Sequence, residues 1–173
     1  MSAAKWNRNL HRWGAIGASL PLLVIVVSGL FLQLKKESDW IQPPTKRGSS
    51  RELAIGFDAV LEAARGVPEA GVRSWDDVDR LDVRPGKGVI KVRCNNRWEI
   101  QVDTKTGVVL QVAERRSDLI ESIHDGSFFH DAVKLWVFLP AAVVLAGLWG
   151  TGIYLFLLPH LARRRRNQQM RSA

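Results

Sequence analysis

Two stretches of this chain carry no charge: residues 13–34, which number 22, and residues 135–162, which number 28. A bilayer core of roughly 30 Å needs about 20 apolar residues at 1.5 Å per residue. Both runs meet that length, and each predicts a membrane helix. The region between them changes period twice. Over residues 51–65, Leu53, Phe57, Val60, Leu61 and Ala64 recur at spacings of three and four, which predicts a helix with one apolar face. Ser50 is its expected cap, and Gly66 with Pro68 its expected stop. Beyond it the alternation is strand-like: Leu81 and Val83, then 89–94, 98–102 and 108–112, separated by turn residues at 85–88, 95–96 and 103–107. One helix followed by a meander predicts a two-layer α+β domain, with the helix covering one face of an antiparallel sheet.

The expected order is therefore a basic tail (1–12), membrane helix one (13–34), a linker (35–50) and a small domain (51–116). A membrane-proximal segment (117–134), membrane helix two (135–159) and a second basic tail (160–173) follow. The linker is expected from the composition of 42–50, QPPTKRGSS.

Charge gives this layout a direction. All 17 acidic residues lie between Lys35 and Lys134, with 17 of the 25 basic ones, so the middle is neutral. The net +8 sits on the tails: Lys5, Arg8, Arg12, Arg163, Arg164, Arg165, Arg166 and Arg171. Short flanks rich in Lys and Arg stay cytoplasmic, so both termini are expected inside and the domain on the periplasmic side of a bacterial inner membrane. Basic tails that meet anionic lipid explain the high pI without nucleic acid. The first apolar run is longer than a signal-peptide core, and no small-x-small cleavage site follows it, so an uncleaved anchor is expected. Cys94 is the single cysteine, which excludes an internal disulfide. It is read as a buried thiol in preference to a bridge between chains.

The stretch Trp98-Glu99-Ile100-Gln101-Val102-Asp103-Thr104-Lys105-Thr106-Gly107-Val108-Val109-Leu110 resembles the end of a PepSY domain. Leu10-His11-Arg12-Trp13-Gly14, Ile123-His124-Asp125-Gly126 and Gly150-Thr151-Gly152-Ile153-Tyr154-Leu155 resemble the helix regions of PepSY-associated transmembrane proteins. The resemblance spans nearly the whole chain. It implies a small periplasmic PepSY-like domain flanked by two transmembrane helices, a short form of the family. Larger relatives with about four membrane helices include iron-siderophore reductases that bind b haem through helix-end histidines. The resemblance thus implies haem b and electron transfer, in a chain with too few helices to be a complete reductase.

All four histidines lie at membrane boundaries: His11 and His160 at one face, His124 and His130 at the other. Imidazole is a good haem-iron ligand, and two of them make an electron carrier. His11 and His124 match the family's helix-end positions; His130 and His160 are candidates by placement. His11 and His160 can share a ligand if the helices pair. His124 and His130, about 240° apart around a helix, can do so only across chains. The competing account is that histidines at helix ends meet headgroups or cap carbonyls. Gly14, Gly17, Ala18, Gly147, Gly150, Thr151 and Gly152 permit close helix contact, within the chain and with other chains. His11 to Pro21 and His130 to Pro140 repeat a ten-residue spacing, read as an inverted repeat or, preferably, as chance. The acidic cluster Asp76-Asp77-x-Asp79 is read as a solvated helix start in preference to a cation site. No hydrolytic or zinc-ligand pattern is present in the sequence. Two functions follow: a homo-oligomer or subunit that carries electrons on b haem, or a non-enzymatic module whose domain binds a periplasmic protein.

Overall fold

The computed structural model describes residues 3–169, with side chains described for 5–160. The Arg163–Arg166 side chains and Arg171 of the basic tail lie outside that range. The chain divides into two compact units, Leu30–Glu121 and the pair Met1–Gly29 with Ser122–Ala173.

The first unit contains α2 (Phe57–Arg65) and four strands: β1 (Val78–Arg84), β2 (Val89–Cys94), β3 (Trp98–Asp103) and β4 (Val109–Glu114). The strands form the expected antiparallel meander in the order β1-β2-β3-β4. Leu81 pairs with Val92, Val92 with Ile100, and Ile100 with Val112. This register puts the apolar alternation on one face. Val60, Leu61 and Ala64 of α2 pack there against Ile90, Val92, Cys94, Ile100 and Val102. Cys94 is the buried thiol the sequence favoured, and burial pushes it up to about 11.

The helix is shorter than the periodicity predicts. It starts at Phe57 and not near 51, with Gly56 as its N-cap in an extended conformation. The amides of Ala54 and Ile55 both donate to the Thr104 carbonyl instead. That tie to the turn after β3 takes the donors a longer helix would use. Leu53 and Phe57 consequently stay exposed. The stop at Gly66 is as expected. The acidic cluster begins a single helical turn, Trp75–Asp77, in which Ser74 and Asp77 form a reciprocal capping box.

The second sheet face is charged and also buried. Lys91, Glu99, Gln101 and Asp103 are each at most 2% exposed. Glu99 accepts from Lys91 at 2.9 Å and from Arg115 at 2.8 Å, and Gln101 donates to it at 2.8 Å. Burial pushes the Lys91 ammonium below its usual range, while Glu99 opposes that shift. What covers this face is the segment expected as a linker. Its polar composition matches a polar surface. The Lys46 amide donates to Gln101 Oε1 at 2.8 Å, and Gln101 Nε2 donates to the Pro44 carbonyl at 2.8 Å. The Ser49 amide donates to Asp103 at 2.6 Å, and the Ser117 amide to the Ile41 carbonyl at 2.8 Å. Gly48 passes the turn before β2 so closely that a Cβ there would stand 2.0 Å from the Gly88 carbonyl oxygen. Residues 41–50 are thus a strap, whose own Ile41 and Pro43 are buried.

The second unit is built on α1 (Ala3–Gln33), which runs past the unit boundary, and on one long helical rod. The rod comprises α4 (Asp131–Val133), a π-helical segment (Lys134–Phe138) and α5 (Leu139–Gln169). α3 (Arg116–Asp125) precedes it. The apolar windows of α1 and the rod are only 11% and 6% buried, so neither is the core helix of a soluble domain. Residues 11, 14, 18, 25 and 28 lie on the less exposed seam of α1, at spacings of three, four and seven. Gly14 on that seam meets Val144 and Leu148 of α5. Gly126, with φ +84°, turns the chain between α3 and the rod over the Phe138 ring.

Four substitutions test this architecture. Glu99→Ala leaves Lys91 and Arg115 buried without their shared acid and is expected to cost about 3–5 kcal/mol. It should lower the thermal midpoint of the full chain in detergent and open the strap to trypsin at Lys46 and Arg47, both exposed. The Ser49 amide first, then those of Thr106 and Lys105, hold the Asp103 carboxyl well below its ordinary range. Its contribution is therefore complete above the unfolded carboxylate range near pH 4 and is lost as pH falls further. Asp103→Asn should flatten that acid limb of the stability profile. In the second unit, Gly126→Ala would bring a Cβ to 2.5 Å from Phe138 at a left-handed φ. A loss of about 1–3 kcal/mol is expected by the same melt. Gly86→Ala, with nothing within 4 Å of its Cβ, should leave the midpoint in place.

Candidate functional site

The four histidines divide into two that join elements and two that do not. His11, on the first turns of α1, places Nδ1 2.9 Å from the Thr151 hydroxyl of α5. Its ring lies beside Gly152, where a Cβ would be 3.8 Å from Cε1. His124, near the end of α3, places Nδ1 3.0 Å from the Ser28 hydroxyl of α1 and 3.1 Å from the Ile25 carbonyl. Its ring lies against Gly29, where a Cβ would be 3.4 Å from Cε1.

The two settings share one design. A half-buried imidazole reaches a hydroxyl on a facing helix, and the residue after that hydroxyl is a glycine, Gly152 or Gly29, against which the ring lies. Each hydroxyl is also bonded within its own helix. Thr151 Oγ1 donates to the Gly147 carbonyl at 2.9 Å, and Ser28 Oγ to the Val24 carbonyl at 2.5 Å. Such back-bonding satisfies the hydroxyl proton in an apolar environment. His11 and Gly29 are 18 residues apart, about five turns, so both rings lie along one face of α1 about 27 Å apart.

Each ring borders a cleft. The one at His11 is about 190 Å³ and is lined by Leu10, Gly14, Val144, Gly147, Leu148 and Thr151. The one at His124 is about 330 Å³, and its wall includes Ile25, Leu135, Phe138 and the ion pair of Asp125 with Lys134 at 2.6 Å. The first cleft is walled almost wholly by apolar groups; the second carries a pair of opposite charges beside its imidazole.

His130 and His160 are placed differently. His130 is exposed and caps α4, its Nδ1 accepting from the Ala132 amide at 3.0 Å. His160 is exposed, its Nδ1 lies 3.2 Å from the Phe156 carbonyl, and its ring stacks on Phe156 within the same helix. The structure therefore joins neither His11 to His160 nor His124 to His130 by any contact among the described residues. His124, not His130, is the counterpart of His11 in its setting. Likewise Thr151-Gly152 is the counterpart of Ser28-Gly29. The sequence reading took Thr151 only as a small residue and gave Ser28 no role. The available signal was a hydroxyl-glycine pair inside each long apolar helix, Ser28-Gly29 and Thr151-Gly152. No group of three or more potential metal ligands is found among the described residues.

Gly17, Gly147 and Gly150 meet nothing within 4 Å of a built Cβ. Part of the small-residue surface is thus unused by contacts within the chain.

No curated protein and no solved structure matches this chain. The model of the PepSY-associated TM region family matches residues 8–173, from just before His11 through both long helices and the sheet domain between them. With almost the whole chain matched, and with two helices of spanning length on either side of a four-stranded antiparallel domain, the protein belongs to the PepSY-associated transmembrane family and is a membrane protein.

Proposed function

We propose that this protein carries electrons across the bacterial inner membrane on b haem, as a homodimer or as a subunit paired with another membrane chain. The observation that supports it is the pair of like-built imidazoles, His11 and His124, near opposite ends of the spanning helices. In each, Nδ1 is engaged by the facing helix, and no hydrogen bond reaches Nε2 among the described residues. Haem-iron histidines use that arrangement: one ring nitrogen held by the protein, the other presented to the metal. His11 and His124 would each hold the iron of one haem through Nε2, which supplies one imidazole donor at each face. Among the described residues neither His160 nor His130 meets its neighbour at the same face, and clefts of about 190 and 330 Å³ do not enclose so large a group. A second ligand and a second wall would come from another chain, for which the open small-residue surface leaves room. A haem ligated by two imidazoles supplies a reversible one-electron step at iron. The basic tails support cytoplasmic termini, with His11 at the inner face and His124 at the periplasmic face. His130 and His160, held locally by their own helices, have weaker claims on the cofactor.

A second reading has its own observation. Phe57, Trp75, Val78 and Leu81 line an open groove of about 370 Å³ along β1, the outermost strand of the sheet. A domain that binds a periplasmic protein would use such a surface, with the helices as an anchor.

One experiment separates the readings. Full-length protein purified in detergent from haem-replete cells should show a Soret band that shifts on dithionite reduction. His11→Ala and His124→Ala should each remove about half of the bound haem, one face apiece, and the double variant nearly all of it. His130→Ala and His160→Ala should retain it. A colourless wild-type protein overturns the haem reading and favours the binding module.

A further inference from the structure

A histidine whose Nδ1 meets a hydroxyl can be donor or acceptor there, and the two choices leave opposite atoms at Nε2. The surroundings of each ring decide between them. At His124 the decisive neighbour is the Ile25 carbonyl, 3.1 Å from Nδ1. A carbonyl only accepts, so Nδ1 carries the proton. Ser28 agrees: its single proton is donated to the Val24 carbonyl, which leaves Oγ to accept from the ring. At His11 the hydroxyl alone decides. Thr151 Oγ1 lies 2.9 Å from the Gly147 carbonyl and 3.1 Å from that of Leu148. If the hydroxyl proton turned to the imidazole, two oxygens would face Oγ1 with no proton between them. The proton stays on the helix, and Oγ1 accepts from Nδ1.

We propose that Ser28 and Thr151 are the positioning residues of the two stations. Each hydroxyl, tied by its own proton to its helix, takes the Nδ1 proton of the facing imidazole and so leaves the Nε2 lone pair as the outward ligand atom. An imidazole free in water favours the opposite tautomer, with the proton on Nε2 and no lone pair there to give. The hydroxyls therefore fix the chemistry of the rings as well as their place. His130 supplies an internal contrast. Its Nδ1 accepts from the Ala132 amide, so its proton belongs on Nε2. The tautomer assignment stands without any cofactor; the use of the lone pair as an iron ligand rests on the haem reading.

The test is nitrogen NMR on the full chain labelled with ¹⁵N-histidine, in lipid nanodiscs at pH 8 and stripped of haem, with assignment by single His→Gln variants. The ring signals of His11 and His124 are expected as the form protonated at Nδ1, and that of His130 as the form protonated at Nε2. Thr151→Val should move the majority of His11 to the Nε2-protonated form and leave His124 unchanged. Thr151→Ser should restore the wild-type pattern, which a loss of folding in the valine variant could not mimic. Ser28→Ala should have the weaker effect on His124, because the Ile25 carbonyl still accepts. A wild-type His11 protonated at Nε2, or a His11 signal indifferent to Thr151→Val, overturns the proposal. A protein that is colourless when purified yet shows these shifts sinks the haem reading and leaves the positioning role standing.

Discussion

Inside a bilayer there is no water to satisfy a polar group, so every hydroxyl and imidazole placed near the hydrocarbon must find its partner in the protein. That requirement organises the helical unit. Ser28 and Thr151 first satisfy their protons on carbonyls one turn back in their own helices. Their remaining oxygen lone pairs are then available to one imidazole each, and they receive His124 and His11. With the apolar surfaces mostly turned outward, few other side-chain contacts join α1 to its neighbours. Two polar bonds near the ends and the close approach at Gly14 do much of that work.

The water-exposed domain solves the opposite problem. Its small sheet has one apolar face, covered by α2, and one charged face that solvent would otherwise reach. The strap shields the second face with backbone amides and carbonyls rather than with an apolar layer. A shielded charge needs its counter-charge nearby, and Glu99 serves both Lys91 and Arg115. Such a cluster adds less to stability than an apolar core of equal volume, but removing one member is costly. The arrangement therefore favours a single register of the strap, because sliding it would unpair Gln101 and Asp103 together.

The sequence announced the large elements because each has a strong period. Two uncharged runs, a change from spacings of three and four to spacings of two, and turn residues at the right intervals were enough for the helices and the meander. What stayed hidden depended on contacts between distant residues. Nothing in 51–56 says that the Thr104 carbonyl, about fifty residues on, takes the amides of Ala54 and Ile55. The run QPPTKRGSS has the composition of a linker, and only the buried polar row of β3 makes it a strap. Among the histidines, placement at a boundary was legible for all four. The difference between His11 and His130 was not, because it lies in which helix the ring meets. Ser28 and Thr151 escaped for a related reason: a small polar residue beside glycine in an apolar helix reads as packing until an imidazole is seen on it.

The reciprocity of the stations has a mechanical consequence. α1 gives a histidine at one end and a hydroxyl at the other, so it is gripped once by a ring it supplies and once by a ring it receives. One grip would let the helix swivel about the contact. Two grips, about 27 Å apart along one face, define an axis, a rotation and a depth at once. A rotation of one residue, about 100°, would release both together. The helix is therefore keyed at both ends, and whatever the two imidazoles hold is kept at a fixed separation and a fixed bearing.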